Sequence, residues 1–243
     1  MRALLLAAGL GTRLRPITDS VPKCLVDING RPLLDYWVEL LSKGGITEIL
    51  VNLHHLPEAV EAYVASCAYP VKITTVFEDH LLLTGGTLLK NRAFFQNEPA
   101  MLIHADNLSC FDVRAFTERF FDRDKDIDIT MMTFHTDAPE ACGVVELDEK
   151  GVVWAFHEKI KAPPGNLANA AAYILAPAVF DFIASLGKQV IDFSTEVLPN
   201  FIGRINTFHN DIYHRDIGTV KSLLLARREY PAVVAKRRLG PVA

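Results

Sequence analysis

Cysteine is sparse and dispersed. Cys24, Cys67, Cys110 and Cys142 are the only four in 243 residues, and no two form a C-x-x-C pair. That argues against a zinc site and reads as reduced thiols of the cytoplasm. Long apolar runs are missing too. None approaches the ~20 residues that a membrane helix needs, so no membrane partner is expected. Met1 to Leu10 imitates a signal peptide only faintly: its apolar part is short and runs into Arg13 and Arg15 without a cleavage-like polar region. An excess of basic charge is likewise absent. The net charge of −4 leaves no electrostatic footprint for nucleic acid. Anionic ligands must then be met by a local cluster of Arg and Lys rather than by the overall field. Repeats, low-complexity segments and linker-like stretches are also lacking. With half the residues hydrophobic, the chain reads as one domain over residues 1–243.

What is present is concentrated in one stretch, Ala3 to Arg31. It opens with an apolar run, Ala3 to Ala8, which reads as a buried strand. The chain then breaks into Gly9, Leu10, Gly11, Thr12 and Arg13. Two glycines two apart let the backbone turn tightly and approach a ligand without a Cβ in the way. Successive N–H groups in such a loop can face one anion. Arg13 adds a planar charged fork and Lys23 a compact charge. Pro16 and Pro22 stiffen the connection. A dinucleotide-binding fingerprint would need a third glycine where Leu14 stands, and a P-loop would need Gly-Lys-Ser/Thr, which does not occur. The reading is a polyphosphate cradle at the end of the first strand.

Downstream, period and punctuation alternate between strand and helix. Strands are predicted over 48–53, 71–77 and 100–104. Helices are predicted over 32–43, 58–65, 87–95 and 112–121, with Gly85 and Gly86 just ahead of the third and Asp112 as a natural cap for the fourth. That alternation predicts an α/β fold: a doubly wound, mixed but mostly parallel sheet, with ligands outside the carboxyl ends of the strands. After Asp126 hairpins join in. Strands are expected over 127–134, 143–147, 152–157, 168–175 and 204–208, with a turn at Asp148 to Gly151. Helices are expected over 177–184, 194–201 and from about Thr219 to Tyr230. We therefore divide the domain into a first lobe (1–126), a second lobe (127–230) and a basic tail (231–243).

The residues Gly9, Gly11, Thr12, Arg13, Leu14, Pro16, Thr18, Pro22, Lys23 and Leu25 reproduce in order the pattern G-x-G-T-R-L-x-P-x-T…P-K-x-L. In this the chain resembles the nucleoside-triphosphate:sugar-1-phosphate nucleotidyltransferases, most of all the short bacterial guanylyltransferases acting on mannose or heptose 1-phosphate. The resemblance extends to about Leu225. It implies a Rossmann-like nucleotidyltransferase fold whose second lobe binds the sugar phosphate, with an NTP and a sugar 1-phosphate as substrates. It implies nucleotide binding by Ala8, Gly9, Gly11, Thr12 and Arg13, and by Gly85 and Gly86 in the base-binding loop Glu78 to Gly86. Relatives usually carry Gly where Leu83 stands. Arg13 and Lys23 are expected on phosphates.

Asp106 closes an apolar strand, and carboxylate oxygen suits magnesium, which usually takes only one or two protein carboxylates beside phosphates. Asp106 and Asp216, the latter in Asp216-Ile217-Gly218-Thr219, resemble the family's two metal aspartates, so Mg2+ is the implied cofactor. Arg13, Lys23 and Asp106 are the implied catalytic residues. Gly143, Glu158, Lys159 and Asn169 are implied on the sugar phosphate, and relatives often carry Gly shortly after that Asn, where this chain has Ala170 to Ala172. Most of the eight histidines read as structural, with His104 and His157 as candidates for lining the site. Uridylyl or thymidylyl transfer to glucose 1-phosphate remains the alternative within the class. A non-catalytic nucleotide-sugar sensor is the alternative outside it, and self-association into a homo-oligomer is compatible with either.

Overall fold

Short apolar runs bounded by Gly, Pro or Asn become central strands, because a strand covered on both faces needs apolar side chains on both. In this computed structural model, which describes residues 1–239, β1 (Arg2–Leu6) lies between β2 (Glu48–Leu53) and β4 (Ala100–His104), parallel to both. β3 (Lys72–Phe77) continues the parallel run as an edge strand beside β2. Alternate residues of β1 serve two cores. Ala3 and Leu5 pack with Trp37, Ile103 and Phe116, whereas Leu4 packs with Leu88, Leu102, Tyr173 and Phe193. The helices α1 (Leu33–Lys43), α2 (Pro57–Ser66), α3 (Leu83–Lys90) and α4 (Val113–Phe121) connect these strands. Asp112 caps α4 as expected, its Oδ1 accepting from Arg114 N at 2.9 Å and Ala115 N at 3.1 Å.

The second half adds β6 (Ile129–His135), β7 (Gly143–Leu147), β8 (Val153–Glu158), β9 (Leu167–Leu175), α5 (Pro177–Ser185) and β10 (Ile205–His209). The main sheet runs β10-β6-β9-β4-β1-β2-β3, with β7 and β8 branching from β9. β9 is antiparallel to both neighbours and the other contacts along this path are parallel, giving the mixed, mostly parallel sheet expected. The Asp148 turn is also as expected, with the Asp148 carboxylate accepting from Lys150 N and Val152 N, both at 2.9 Å.

Four local expectations are corrected. Gly85 and Gly86 lie inside α3 rather than ahead of a helix, and 92–95 forms a separate 3-10 turn. Residues 193–201 form a π turn followed by a 3-10 turn instead of an α-helix. Two short strands went unread, β5 (Asn107–Cys110) and β11 (Tyr213–Asp216), which pair antiparallel as a separate ribbon. Finally, α6 (Val220–Leu239) continues through Pro231 into the stretch read as a tail. Pro231 has no N–H, so the Arg227 carbonyl loses its helical partner. The Asn29 amide donates to that carbonyl at 2.9 Å instead. Residues 240–243 of the expected tail lie outside the described residues.

The ribbon carries a titratable group into the interior. His214 of β11 packs on Phe134 with ring centroids 4.3 Å apart, and its Nδ1 lies 3.3 Å from Ser109 Oγ. Burial pushes its pKa down to about 3, with the Asp106 charge only partly opposing. Below the unfolded pKa the unfolded chain binds a proton that the folded one refuses, so this contribution is lost as pH falls from about 6.5 toward 3. Thermal unfolding at pH 7.5 and 5.5 should therefore show an acid penalty of about 1 kcal/mol from this residue. In His214→Gln that penalty should shrink; an unchanged pH dependence would show that His214 is not its source.

Candidate active site

The loop after β1 is held open by specific bonds. Gly11 sits at φ +64°, and a Cβ there would also meet Thr18 Cγ2 at 2.8 Å. The Thr18 hydroxyl donates to the Gly11 carbonyl at 2.7 Å, and Leu14 N donates to the same oxygen at 2.9 Å. Asn52, at the end of β2, accepts from Ala7 N at 2.8 Å and pins the last turn of the strand end. Nothing lies within 4 Å of where a Cβ on Gly9 would stand, and Ala8 and Gly9 line an adjoining cavity of about 200 Å³. Thr12 and Arg13 begin a 3-10 turn, with the Arg13 side chain largely exposed.

Lys23 is nearly buried, and its Nζ lies 2.7 Å from Asp106 Oδ2 and 3.7 Å from Asp216 Oδ1. Arg13 Nη2 lies 3.8 Å from Asp216 Oδ2. The four residues thus come together from three distant parts of the chain. The β5–β11 ribbon makes this meeting: Asp216 pairs with Asn107, and Ile217 N donates to the Asp106 carbonyl at 2.9 Å. Burial alone would raise the pKa of Asp106, but the Lys23 charge, with His104 and the hydrogen bond from Lys23, brings it below the usual carboxylate range. For Asp216 burial prevails, and the Asp106 charge adds to it, so its pKa is raised. The donor set fits a hard cation. Two carboxylates stand close together beside an open loop, and no group of three or more His, Cys, Asp or Glu that could hold a metal occurs among the described residues.

The cavity runs from this cluster toward α3, lined in part by Glu78, Leu83, Thr87 and His104. Glu78 is fully buried, and neither carboxylate oxygen has a hydrogen-bond partner among the described residues. Its backbone is fixed on both sides: Glu78 N donates to the Leu53 carbonyl at 2.9 Å, and its own carbonyl lies 2.7 Å from His54 Nδ1. Glu78 was not among the residues singled out by sequence, although it opens the loop that was. A carboxylate directly after an apolar strand, at a ligand-facing sheet end, was the available signal.

Gly85 and Gly86 are used otherwise than expected. Their N–H groups donate to the Ile191 carbonyl at 2.8 and 3.2 Å, so they do not meet a base edge with those donors. Their missing side chains admit the 189–191 segment against α3: a Cβ on Gly85 would meet Ile191 Cγ2 at 2.8 Å, and one on Gly86 would strike the Gln189 carbonyl. Leu83, where relatives usually carry Gly, sits at φ +60° at the cavity wall.

On the other side, Gly143 pairs with Glu158 across β7 and β8. A Cβ on Gly143 would lie 2.7 Å from Glu158 Oε2. Glu158 Oε1 is 3.1 Å from Lys159 Nζ, and Lys159 has φ +50°. The Asn169 amide donates to Tyr173 Oη at 2.6 Å while its oxygen accepts from Ala171 N at 2.9 Å. Ala171 itself sits at φ +52°. His157 pairs with Glu146 at 2.8 Å, whereas His104 faces the cavity with Nε2 buried and unpartnered. Burial lowers the pKa of His104.

The chain is similar to several known proteins in sequence and fold. A mannose-1-phosphate guanylyltransferase of Mycobacterium tuberculosis is 32% identical over 222 residues, or 89% of this chain. The chain spans 61% of that relative's length. The solved structure of HddC from Yersinia pseudotuberculosis complexed with GMP-PN superposes with a TM-score of 0.79 at 25% identity, covering 94% of this chain and 99% of that one. UDP-glucose pyrophosphorylase complexed with UDP-glucose shares the fold, with a TM-score of 0.78 at 22% identity over 95% of this chain and 98% of that one. No helix among the described residues is long and apolar enough to cross a membrane. The nucleotidyl transferase family profile matches residues 2–232, and this chain, a mixed α/β sheet carrying two carboxylates around a buried lysine, belongs to that family.

Proposed function

We propose that this protein joins a sugar 1-phosphate to a nucleoside triphosphate, releasing a nucleotide-sugar and pyrophosphate, with guanosine as the base. The observation that carries the reaction class is the meeting of Lys23, Arg13, Asp106 and Asp216 beside the cavity. A phosphate oxygen of the sugar 1-phosphate attacks the α-phosphorus, one new P–O bond forms, and the bond to the pyrophosphate leaving group breaks. The attacking group is already an anion, so no protein base or nucleophile is needed, and catalysis is positioning and electrostatics. Arg13 and Lys23 hold phosphate oxygens. Ala8, Gly9, Gly11 and Thr12 shape the loop around the nucleotide. Asp106 and Asp216 would hold a divalent cation, magnesium in our reading, which offsets phosphate charge when bound. Glu158, Lys159 and Asn169, with Gly143 making room, take the sugar phosphate. The reaction belongs in the cytoplasm on this reading.

The base assignment rests on Glu78. A carboxylate offers acceptors only. The guanine edge offers two donors side by side, N1–H and the 2-amino group, which a carboxylate meets in a bidentate way. Uracil and thymine present one N–H flanked by two carbonyl oxygens, which would face the Glu78 oxygens. The mannose-1-phosphate guanylyltransferase of Mycobacterium tuberculosis and the HddC complex with GMP-PN support the same base. The Mycobacterium tuberculosis relative supports mannose as the sugar, and a heptose stands beside it on the sequence resemblance alone. The UDP-glucose neighbour keeps uridylyl transfer to glucose 1-phosphate as the second reading.

Pyrophosphate release measured for GTP, ATP, CTP, UTP and dTTP against mannose, glucose, galactose and heptose 1-phosphates, with magnesium, should give one dominant GTP column. A dominant UTP or dTTP column would keep the mechanism and overturn the base. Glu78→Gln should lower kcat/KM for GTP by roughly tenfold to a hundredfold, since one of the two acceptors facing the guanine donors becomes an amide donor, and narrow the gap to UTP. Asp106→Asn, which still accepts from Lys23, should lower kcat by at least about a hundredfold, with a lowered melting temperature because Lys23 keeps only Asp216, at 3.7 Å, as counter-charge. Near-normal turnover in that variant would remove the Asp106 charge from the mechanism.

A further inference from the structure

Glu78 is not the only orphaned group in the cavity. His104 ends β4, pairs with Leu6 of β1, and stands two residues before Asp106. Its Nε2 is buried without a hydrogen-bond partner, and among the described residues the His104 side chain makes no hydrogen bond at all. The β4–β9 ladder ends at Ile103 and Ala172, one residue short of His104. β9 turns there through Ala171 at φ +52°. The charges that act on the imidazole come from the metal side (Asp106, Lys23), from Asp192 ahead of the π turn, and from Lys159 on the sugar side. His104 therefore lines the cavity within the field of charged groups on the phosphate side and on the side assigned to the sugar.

A buried polar nitrogen without a partner costs free energy, so its place on a cavity wall points to a ligand group that completes it. A phosphate oxygen would be met by Lys23 or Arg13, and a base edge by Glu78. What a lone imidazole nitrogen suits is a hydroxyl, which both donates and accepts. We infer that His104 is a binding residue for a carbinol hydroxyl of the substrates, on the ribose of the nucleotide or on the hexose of the sugar phosphate. The inference rests on the reading of this cavity as the nucleotide-sugar site.

Calorimetric titration tests it without requiring turnover. Wild type, His104→Leu and His104→Asn are titrated with GTP, 2′-deoxy-GTP, 3′-deoxy-GTP and mannose 1-phosphate, each with magnesium, and with the preferred pair from the pyrophosphate-release matrix if that pair differs. The expected result is a roughly tenfold rise in Kd for one substrate in His104→Leu, partly restored in His104→Asn. If the hydroxyl is on the ribose, wild type prefers GTP to one deoxy analogue and His104→Leu loses that preference. If it is on the hexose, only the mannose 1-phosphate Kd moves. Should His104→Leu fail to fold, His104→Asn with an apolar-sized partner, His104→Met, carries the same comparison. Kd values within twofold of wild type for every ligand, in a folded variant, would overturn the inference and leave the proposed function standing. Wild type binding none of the ligands would overturn both.

Discussion

A lysine ammonium is not carried into a protein interior without a counter-charge, and Lys23 is where this fold meets that requirement. Its side chain is 8% exposed and its Nζ is 2.7 Å from Asp106. Much of the surrounding architecture follows from that pair. The loop after β1 must return over the end of β4 to deliver Lys23. The β5–β11 ribbon must form for Asp216 to reach 3.7 Å from the same nitrogen. Two carboxylates set this close would repel each other, and the lysine between them lets them coexist. The opposite pKa directions of Asp106 and Asp216 record the division: the closer one has its burial cost overcome by Lys23, while the farther one does not. The chain thus prepares, before any ligand arrives, a place where anionic and cationic groups of a substrate complex both find partners.

Three of the seven described non-glycine residues with positive φ lie in segments assigned to the substrates. Leu83, Lys159 and Ala171 have φ of +60°, +50° and +52°. For a residue with a Cβ this left-handed conformation costs roughly 1–2 kcal/mol, so the surrounding structure must dictate it. Leu83 lies in the loop proposed for the base, and Lys159 and the bend after Asn169 lie in segments proposed for the sugar phosphate. At Leu83 and near Asn169 relatives favour Gly, which adopts such a backbone freely. This chain keeps the conformation without the residue that makes it easy. The surrounding structure holds Leu83 and Ala171 in this backbone in spite of their side chains, so the conformation belongs to the site rather than to the amino acid.

That distinction also explains what was legible in the sequence. The strands β1, β2 and β4 and the helices α1 and α4 were readable because period, length and punctuation agreed, as with Pro32 before α1 and Asp112 before α4. Asp106 stood out because it follows an apolar strand and Asp216 because it sits in Asp216-Ile217-Gly218-Thr219, and the fold brings both to Lys23. The β5–β11 ribbon was not. Its four-residue strands are too short for a period, and their pairing joins residues about a hundred positions apart. The course of α6 past Pro231 was hidden for a similar reason: the carbonyl that proline orphans is met by Asn29, a partner no local rule supplies. Glu78 was passed over and His104 stood out only as a candidate for lining the site, because the missing hydrogen-bond partner that sets both apart is visible only in the folded environment.

The glycines at the site show the same dependence from the other direction. Gly143 and Gly218 both have ordinary negative φ, so neither is needed for a turn. A Cβ on Gly143 would press on the Glu158 carboxylate and on the Phe156 ring, each at 2.7 Å. One on Gly218 would stand 2.7 Å from Arg13 Nη2 and press on the Asp216 carboxylate as well. These two residues act by leaving room for a charged side chain to lie against the backbone. Gly85 and Gly86 leave comparable room, but for the backbone and side chain of the 189–191 segment. A glycine pair in a ligand loop invites the reading that its exposed amides face the ligand. Here the amides of one pair are already bonded within the protein, and it is the volume withheld by single glycines elsewhere that fixes where the acidic groups stand. The positions of Glu158 and Asp216 are therefore set by packing against glycine as much as by their partners Lys159, Lys23 and Arg13. A site that acts through placement and charge gains its precision from such fixed distances.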